Sequence, residues 1–463
     1  MTMPRRLVEL LRGPLLVAST AVLAGCGVAP ERPALPAPDT STRFSTEYPE
    51  TVADETIAGP WWHRAVAGAI ADAADDVLSV NPALRRAAAD VEAARAAWRQ
   101  AEADIGPTLN ADASVGVQKA SDERGHSNRS LGVDAALPID VNGSFTARRD
   151  AARAAFDAAT ADAEQLRGDL ARDLLLAVVD GAEARQRYAL LQAQIALAER
   201  FLQLIELRFT QGLASSVDVL QQRDQLASLR QQLPVAILDA RRADNQTRRI
   251  AGLTPAPLSG LSLEELPEIT GRFAIVRPAM LLERRAGLRA ANARLRAADA
   301  RFAAALADRW PAFTLSAGGV TRAISGDVTS IVSAALDASL TLFDGDRKTA
   351  IAEQRRAELI AEAEQLLDDW IAAVIDADDL LLGEASLRER LRLSQTRLDT
   401  ADDLLAAARR RFERGVSDYL PVLEALRGLQ QQQRDHVALQ AELARTRLRL
   451  HRALGDTVAA GER

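Results

Sequence analysis

The chain is written twice. RFTQGLASSVDVL, from Arg208, returns as RFERGVSDYLPVL, from Arg411. Phe209 pairs with Phe412, Gly212 with Gly415, Leu213 with Val416, Val219 with Val422 and Leu220 with Leu423, each 203 residues on. The same offset relates Asp134 to Asp337, Leu137 to Leu340 and Gly252 to Gly455. Whatever the first half folds into, the second half folds into again.

Each half holds two segments that alternate strictly. Leu109, Ala111, Ala113, Val115 and Val117 are apolar, with Asn110, Asp112, Ser114, Gly116 and Gln118 between them. Leu131 to Val141 alternates in the same way, and Phe313–Ala317 and Val332–Leu342 repeat the pattern. A period of two puts one set on each face of a strand. A long seam follows, with large residues at Phe156, Leu166, Leu170, Leu174, Tyr188, Leu191, Ile195, Leu202, Ile205 and Phe209. Its steps of three and four are those of a coiled-coil-like helix. No proline interrupts Ser144 to Gly212, so a rod of roughly 100 Å is predicted, at 1.5 Å per residue. Gly212 ends it, because a left-handed residue is tolerated best by glycine. A return helix follows to about Ala251, with Pro234 as an expected kink. The second rod begins at Arg347 and stops at Gly415.

The N-terminus reads as a signal peptide. Arg5, Arg6 and Arg12 precede the short apolar run Leu15–Leu23, which is about half the ~20 residues a membrane helix needs. Leu23-Ala24-Gly25-Cys26 matches a bacterial lipobox and holds the only cysteine. By that resemblance Cys26 carries an N-acyl and diacylglycerol lipid. Gly27 rather than aspartate follows it, which favours the outer membrane. Six prolines between Pro30 and Pro60 make an extended tether, and Trp61-Trp62 opens the folded part.

Other classes fall away. A net charge of -7 without a dense basic block argues against a nucleic-acid binder. His63, His126, His436 and His451 are too scattered for a metal site, and no phosphate loop or nucleophile elbow is present. A pore-free coiled coil would have no alternating strands. If the apolar strand faces meet lipid, the strands must close into a barrel, because hydrocarbon cannot satisfy an open edge. Membrane barrels start at eight strands. One chain offers four, so copies must combine, as a dimer or a trimer.

With these features the chain resembles the TolC-like outer-membrane efflux proteins, in the branch that carries a lipobox. The resemblance rests on Leu23–Cys26, Trp61-Trp62, the rod ends Phe209/Gly212 and Phe412/Gly415, Ala251-Gly252-Leu253 and Ala453-Leu454-Gly455. It implies a mainly α fold with a membrane β-barrel, built by a homotrimer with twelve strands on a twelve-helix periplasmic tube. It implies the passive exit duct of a tripartite pump, with a periplasmic adaptor and an inner-membrane transporter of RND type. The same duct could serve type I protein secretion or metal-ion efflux. The adaptor is expected at the tip turns, around Phe209, Gly212, Phe412 and Gly415. Glu424 and Asp218 match acidic family positions near the tip, and are expected to form a carboxylate ring and a helix latch. Their simpler readings are a solvated glutamate near a helix start and a helix cap. Four departures stand out. Ala279 follows Arg277-Pro278 where an aspartate is usual. Phe412 replaces a tyrosine, and Pro421 an aspartate, so closure is expected to rest more on packing than on polar latches. The strands carry little aromatic girdle beyond Phe313 and Phe343.

The expected organisation is a removed signal peptide (1–25), a lipidated tether (26–60), a first repeat (61–255), a linker (256–275), a second repeat (276–455) and a tail (456–463). Strands are expected over 108–118, 130–141, 311–320 and 330–343, rods over 144–211 and 347–413, and return helices over 216–251 and 418–454.

Overall fold

The computed structural model describes residues 31–40, 43–45, 51–52, 60–118, 126–252, 261–274, 277–324 and 327–455. The expected signal peptide (1–25), Cys26 and the expected tail (456–463) lie outside them. In chain order the elements are β1 (Thr51–Val52), α1 (Trp61–Ala65), α2 (Gly68–Ser79), α3 (Pro82–Ala103), β2 (Thr108–Gln118), β3 (His126–Ile139), α4 (Ser144–Thr210) and α5 (Ser216–Ala251). The linker holds β4 (Phe273–Ala274), and the second repeat adds a 3-10 turn at Pro278–Met280, α6 (Leu281–Arg284), α7 (Ala286–Ala307), β5 (Ala312–Ile324), β6 (Asp327–Ser339), α8 (Arg347–Glu413) and α9 (Leu420–Leu454). The duplication is metric. The rods α4 and α8 have 67 residues each, and α3 and α7 have 22 each. Asp346 even takes the left-handed backbone (φ 63°) that Gly143 (φ 77°) takes 203 residues earlier.

The chain divides into two units. One contains the strands with the neighbouring ends of the rods, the described parts of 90–160 and 290–368, together with residues 31–37. Its sheet is antiparallel in the order β2-β3-β5-β6, so β2 and β6 are open edges. Leu109 faces Ala135, Leu137 faces Leu315 and Leu315 faces Leu336, which joins the apolar positions of all four strands on one face. Leu109, Val115, Val117, Leu131, Val332 and Leu336 are all exposed in the single chain. The other face is polar: Asn110 donates to Asp134 at 3.1 Å, Ser114 meets Ser130 at 2.7 Å, and Ser316 donates to Asp337 at 2.9 Å.

Three strands differ from their expected bounds. β3 starts four residues early and β5 runs four residues long, because a ladder satisfies the backbone whatever side chains it carries. β3 stops at Ile139 because the Asp140 carboxylate accepts the backbone N–H groups of Phe145 and Thr146, and so caps α4 instead of extending the strand. β6 ends at Ser339, which leaves Leu342 and Phe343 beyond it, 86% and 89% exposed. Trp310, just before β5, and Val141, just after β3, are also exposed at this end of the sheet. Trp310 therefore adds to the sparse aromatic set expected from the sequence.

The second unit holds 161–289, 369–455 and the described part of 38–89. Its core is built on Trp61-Trp62, whose rings meet edge to face at 5.9 Å. Around them pack Leu174, Leu175, Val178 and Val179 of α4, Ala441, Ala444 and Leu448 of α9, and Leu261 and Ile269 of the inter-repeat linker. Arg185 donates to the Leu263 carbonyl (2.7 Å) and Arg447 to the Ile269 carbonyl (3.0 Å), so the linker is pinned from both repeats. α5 continues through Pro234, which is exposed, so the missing N–H falls on the solvent side.

Candidate functional site

The tip is where each rod turns back. α4 ends in a Schellman turn, with the Gly212 N–H bonding the Phe209 carbonyl (3.0 Å) and the Leu213 N–H bonding that of Arg208 (2.8 Å). Gly415 to Phe412 (3.0 Å) and Val416 to Arg411 (3.0 Å) repeat it. Gly212 and Gly415 have φ of 71° and 70°. No atom lies within 4 Å of where a Cβ would sit on either, so backbone conformation, not crowding, calls for glycine.

The repeat-related phenylalanines diverge. Phe209 is 47% exposed, whereas Phe412 is 5% exposed. Phe412 packs on the Tyr419 ring at 5.5 Å, with the Arg208 guanidinium 4.5 Å above it. Around this pair lies an apolar cluster of Phe201, Ile205, Val219, Val422, Leu423 and Leu426, which draws on α4, α5 and α9.

Inside that cluster sits a polar connection that the sequence reading missed. Tyr419 is fully buried, and its hydroxyl donates to Gln222 Oε1 at 2.5 Å. Gln222 in turn donates to the Ala198 carbonyl at 2.7 Å. Burial pushes the Tyr419 pKa up; Arg427 opposes the shift and Asp218 adds to it. Further along, Gln225 donates to Gln430 (3.1 Å), Gln194 donates to Gln433 (3.0 Å), and Arg427 donates to Gln225 (2.6 Å). The first hairpin, α4–α5, is thus stitched to α9 by buried amides. The tip thus holds a buried tyrosine hydrogen bond within the chain, seven residues after Phe412. The glutamine runs at 221–222 and 430–433 were the available signal.

Asp218 lies in the first turn of α5. Its carboxylate accepts from the Ser215 N–H (2.8 Å) and hydroxyl (2.9 Å), and its own N–H donates to Ser215 Oγ (3.2 Å). This reciprocal capping box occupies the carboxylate within its own chain. Glu424 projects from the exposed face of α9, with Arg427 one turn on along the same face. Pro421 stands in the first turn of α9, where its missing N–H costs nothing. Among the described residues no group of acidic, histidine or cysteine side chains could hold a metal ion.

The outer membrane efflux protein family matches the chain over residues 73–253 and 278–456, one match per repeat. The pyoverdine export outer membrane protein OpmQ of Pseudomonas putida is 27% identical over 360 residues, covering 75% of this chain and 74% of that protein. Nodulation protein T of Rhizobium leguminosarum bv. viciae is 26% identical over 458 residues, covering 95% and 92%. The solved structure of the outer-membrane channel OprN superposes with a TM-score of 0.80 at 24% identity, covering 94% of this chain and 99% of that one, which shows the fold.

Proposed function

The chain belongs to the outer membrane efflux protein family, and from that premise we propose that three copies close into one channel that is the exit duct of a tripartite pump. The protein is an outer-membrane efflux channel, and its family is one of transport ducts rather than enzymes.

The observation that carries the closure is an inequality between the repeats. α3 and α7 occupy equivalent places, yet α3 buries no residue while α7 buries Leu288, Ala290, Ala293, Ala297 and Phe302. A repeated fold supplies the second α-helix with neighbours from its own chain and leaves the first uncovered. The unpaired edges β2 and β6 carry the same message. A neighbouring copy covers α3 and pairs β6 with β2, which removes both edges. Three copies of four strands give a twelve-stranded barrel with the apolar face to lipid and the polar face to water.

On this reading Cys26 carries the lipid, and its thiol is solitary because the fold needs no disulfide. A periplasmic adaptor docks on the tip, and an inner-membrane transporter of RND type supplies the energy. Relatives named for pyoverdine export and for nodulation match with nearly equal identity, so cargo choice belongs to the pump. Deleting the gene and measuring sensitivity to a drug panel tests the duct. Restored resistance from the intact gene supports it; unchanged sensitivity, with no change in metal or protein export, contradicts it.

A further inference from the structure

The ladder inside one chain contains a template for a ladder between chains. Thr108 pairs with Ala136 and, one repeat later, Ala312 pairs with Ser339, so β2 and β5 stand 204 residues apart and β3 and β6 stand 203 apart. β3 meets β5 with Asp134 opposite Gly318, Leu137 opposite Leu315 and Ile139 opposite Phe313. The free edge of β6 repeats the β3 edge of that pair, and the free edge of β2 repeats the β5 edge. Leu340 and Leu342 call for such a partner. They keep the alternation of β6 after its ladder with β5 has stopped at Ser339, and Leu342 is left 86% exposed. Ile139, which Leu342 repeats, is held in the ladder by Phe313.

We propose that β6 of one copy pairs with β2 of the next in one definite register, with Leu340 opposite Ala111 and Leu342 opposite Leu109. That copies pair at all rests on the duct reading above; the inference adds which residues meet. In this register Asp337 faces Ser114 and Ser339 faces Asp112. On the polar face each carboxylate then has a hydroxyl donor across the joint. The apolar face stays apolar, and β6 gains the partner that carries it through Leu342. A shift of one residue sets apolar side chains against polar ones. A shift of two in one direction sets Asp337 opposite Asp112, and in the other sets Asp344 opposite Leu109.

The helices carry a second joint. Asp308, just after α7, accepts from Ser144 and from Arg148 (2.7 Å) of α4. Its repeat is Asp104, just after α3, and the repeat of Ser144 is Arg347, the first residue of α8. Both are exposed, and neither side chain has a partner among the described residues. Another α7–α4 ion pair, Arg296 with Asp157, becomes Glu92 against Ile360 and loses its charge match. Asp104 and Arg347 of the next copy keep opposite charges and form an ion pair at the joint.

The test uses the full-length protein in isolated outer membranes. Within one chain β2 and β6 are opposite edges of a four-stranded sheet, about 14 Å apart, so a disulfide from Ala111→Cys to Leu340→Cys joins different copies. On oxidation this double variant is expected to give a three-copy species that survives heating and is lost with a reductant. The wild type, with Cys26 alone, sets the background. Leu340→Cys combined with Ala113→Cys or with Leu109→Cys is two residues off register, about 7–8 Å away and beyond the reach of a disulfide. Neither is expected to cross-link. Stronger cross-linking of a slipped pair, or none from all three in a protein that still assembles, overturns the register. Exchanging charges reads the joint without cysteines, and decides if the cysteine variants do not assemble. Asp104→Arg or Arg347→Asp alone is expected to lower the temperature at which the assembled form falls apart, and the two together to restore it. A double variant no more heat-resistant than the weaker single one overturns the ion pair. An assembled wild type with a slipped cross-link defeats this inference alone; a wild type that runs as one chain defeats the closure reading as well.

Discussion

The Tyr419 hydroxyl donates a 2.5 Å hydrogen bond to Gln222, 197 residues earlier, and so ties the start of α9 to α5 across the apolar core of the tip. Both partners are fully buried. Tyr419→Phe keeps the ring on Phe412 but leaves the amide oxygen without its donor, at a cost of about 1–3 kcal/mol per copy. The variant is expected to leak: its resting conductance in planar bilayers rises above that of the wild type. A resting conductance equal to the wild type would remove the latch from the closed state.

Glu424 stands on the exposed face of α9, while Arg427, on the same face, is drawn toward α5 by Gln225. In the proposed trimer, three copies would set a ring of carboxylates at the tip, and like charges brought together there favour cations. Glu424→Ala is expected to lower the cation preference measured from reversal potentials in a salt gradient. Unchanged selectivity would sink the ring.

Two glycines separate conformational from steric demand. Gly212 has φ 71° with open space around it, whereas Gly252 has φ 68° and a Cβ there would lie 2.6 Å from Pro82 Cδ. Gly212→Ala carries only the backbone penalty, about 1–2 kcal/mol. Gly252→Ala adds a clash that the rigid proline ring cannot relieve. Thermal unfolding is expected to show a clearly larger fall in Tm for Gly252→Ala; equal falls would count against this reading of Gly252.

His451 is buried against Phe273, its Nε2 3.1 Å from the Thr270 carbonyl. Burial pushes its pKa down to about 4; the Thr270 carbonyl resists, and Arg64 and Arg447 add to the fall. The unfolded chain therefore binds a proton here below pH 6.5 that the folded chain refuses until about pH 4. Stability from this site is complete above pH 6.5 and is lost as pH falls through that window, by roughly 3 kcal/mol at most. His451→Gln is expected to flatten the decline in denaturation midpoint between pH 6.5 and 4. An identical slope in both proteins would assign the decline to other groups.

The sequence disclosed the architecture because periodicity and repetition are local properties. The rods from Ser144 and Arg347, the glycine stops and the alternating strands each announce themselves within a few residues. The tip latch did not, because Tyr419 and Gln222 are meaningful only when two hairpins lie side by side. Their repeat partners, Ser216 and Ala425, carry no matching side chain, so the offset gave no help. Asp218 could be read as latch or cap, and only the position of Ser215 relative to its carboxylate shows the capping geometry. The strand ends were blurred for a related reason: Leu342 and Phe343 continue the alternation after the ladder has stopped.

The central claim is that one chain is a third of a channel. Native mass spectrometry of the protein extracted from outer membranes measures this directly. The expected species has three times the mass of one mature chain and falls to one on heating. A monomer or a dimer as the assembled form, with conductance intact, would contradict it.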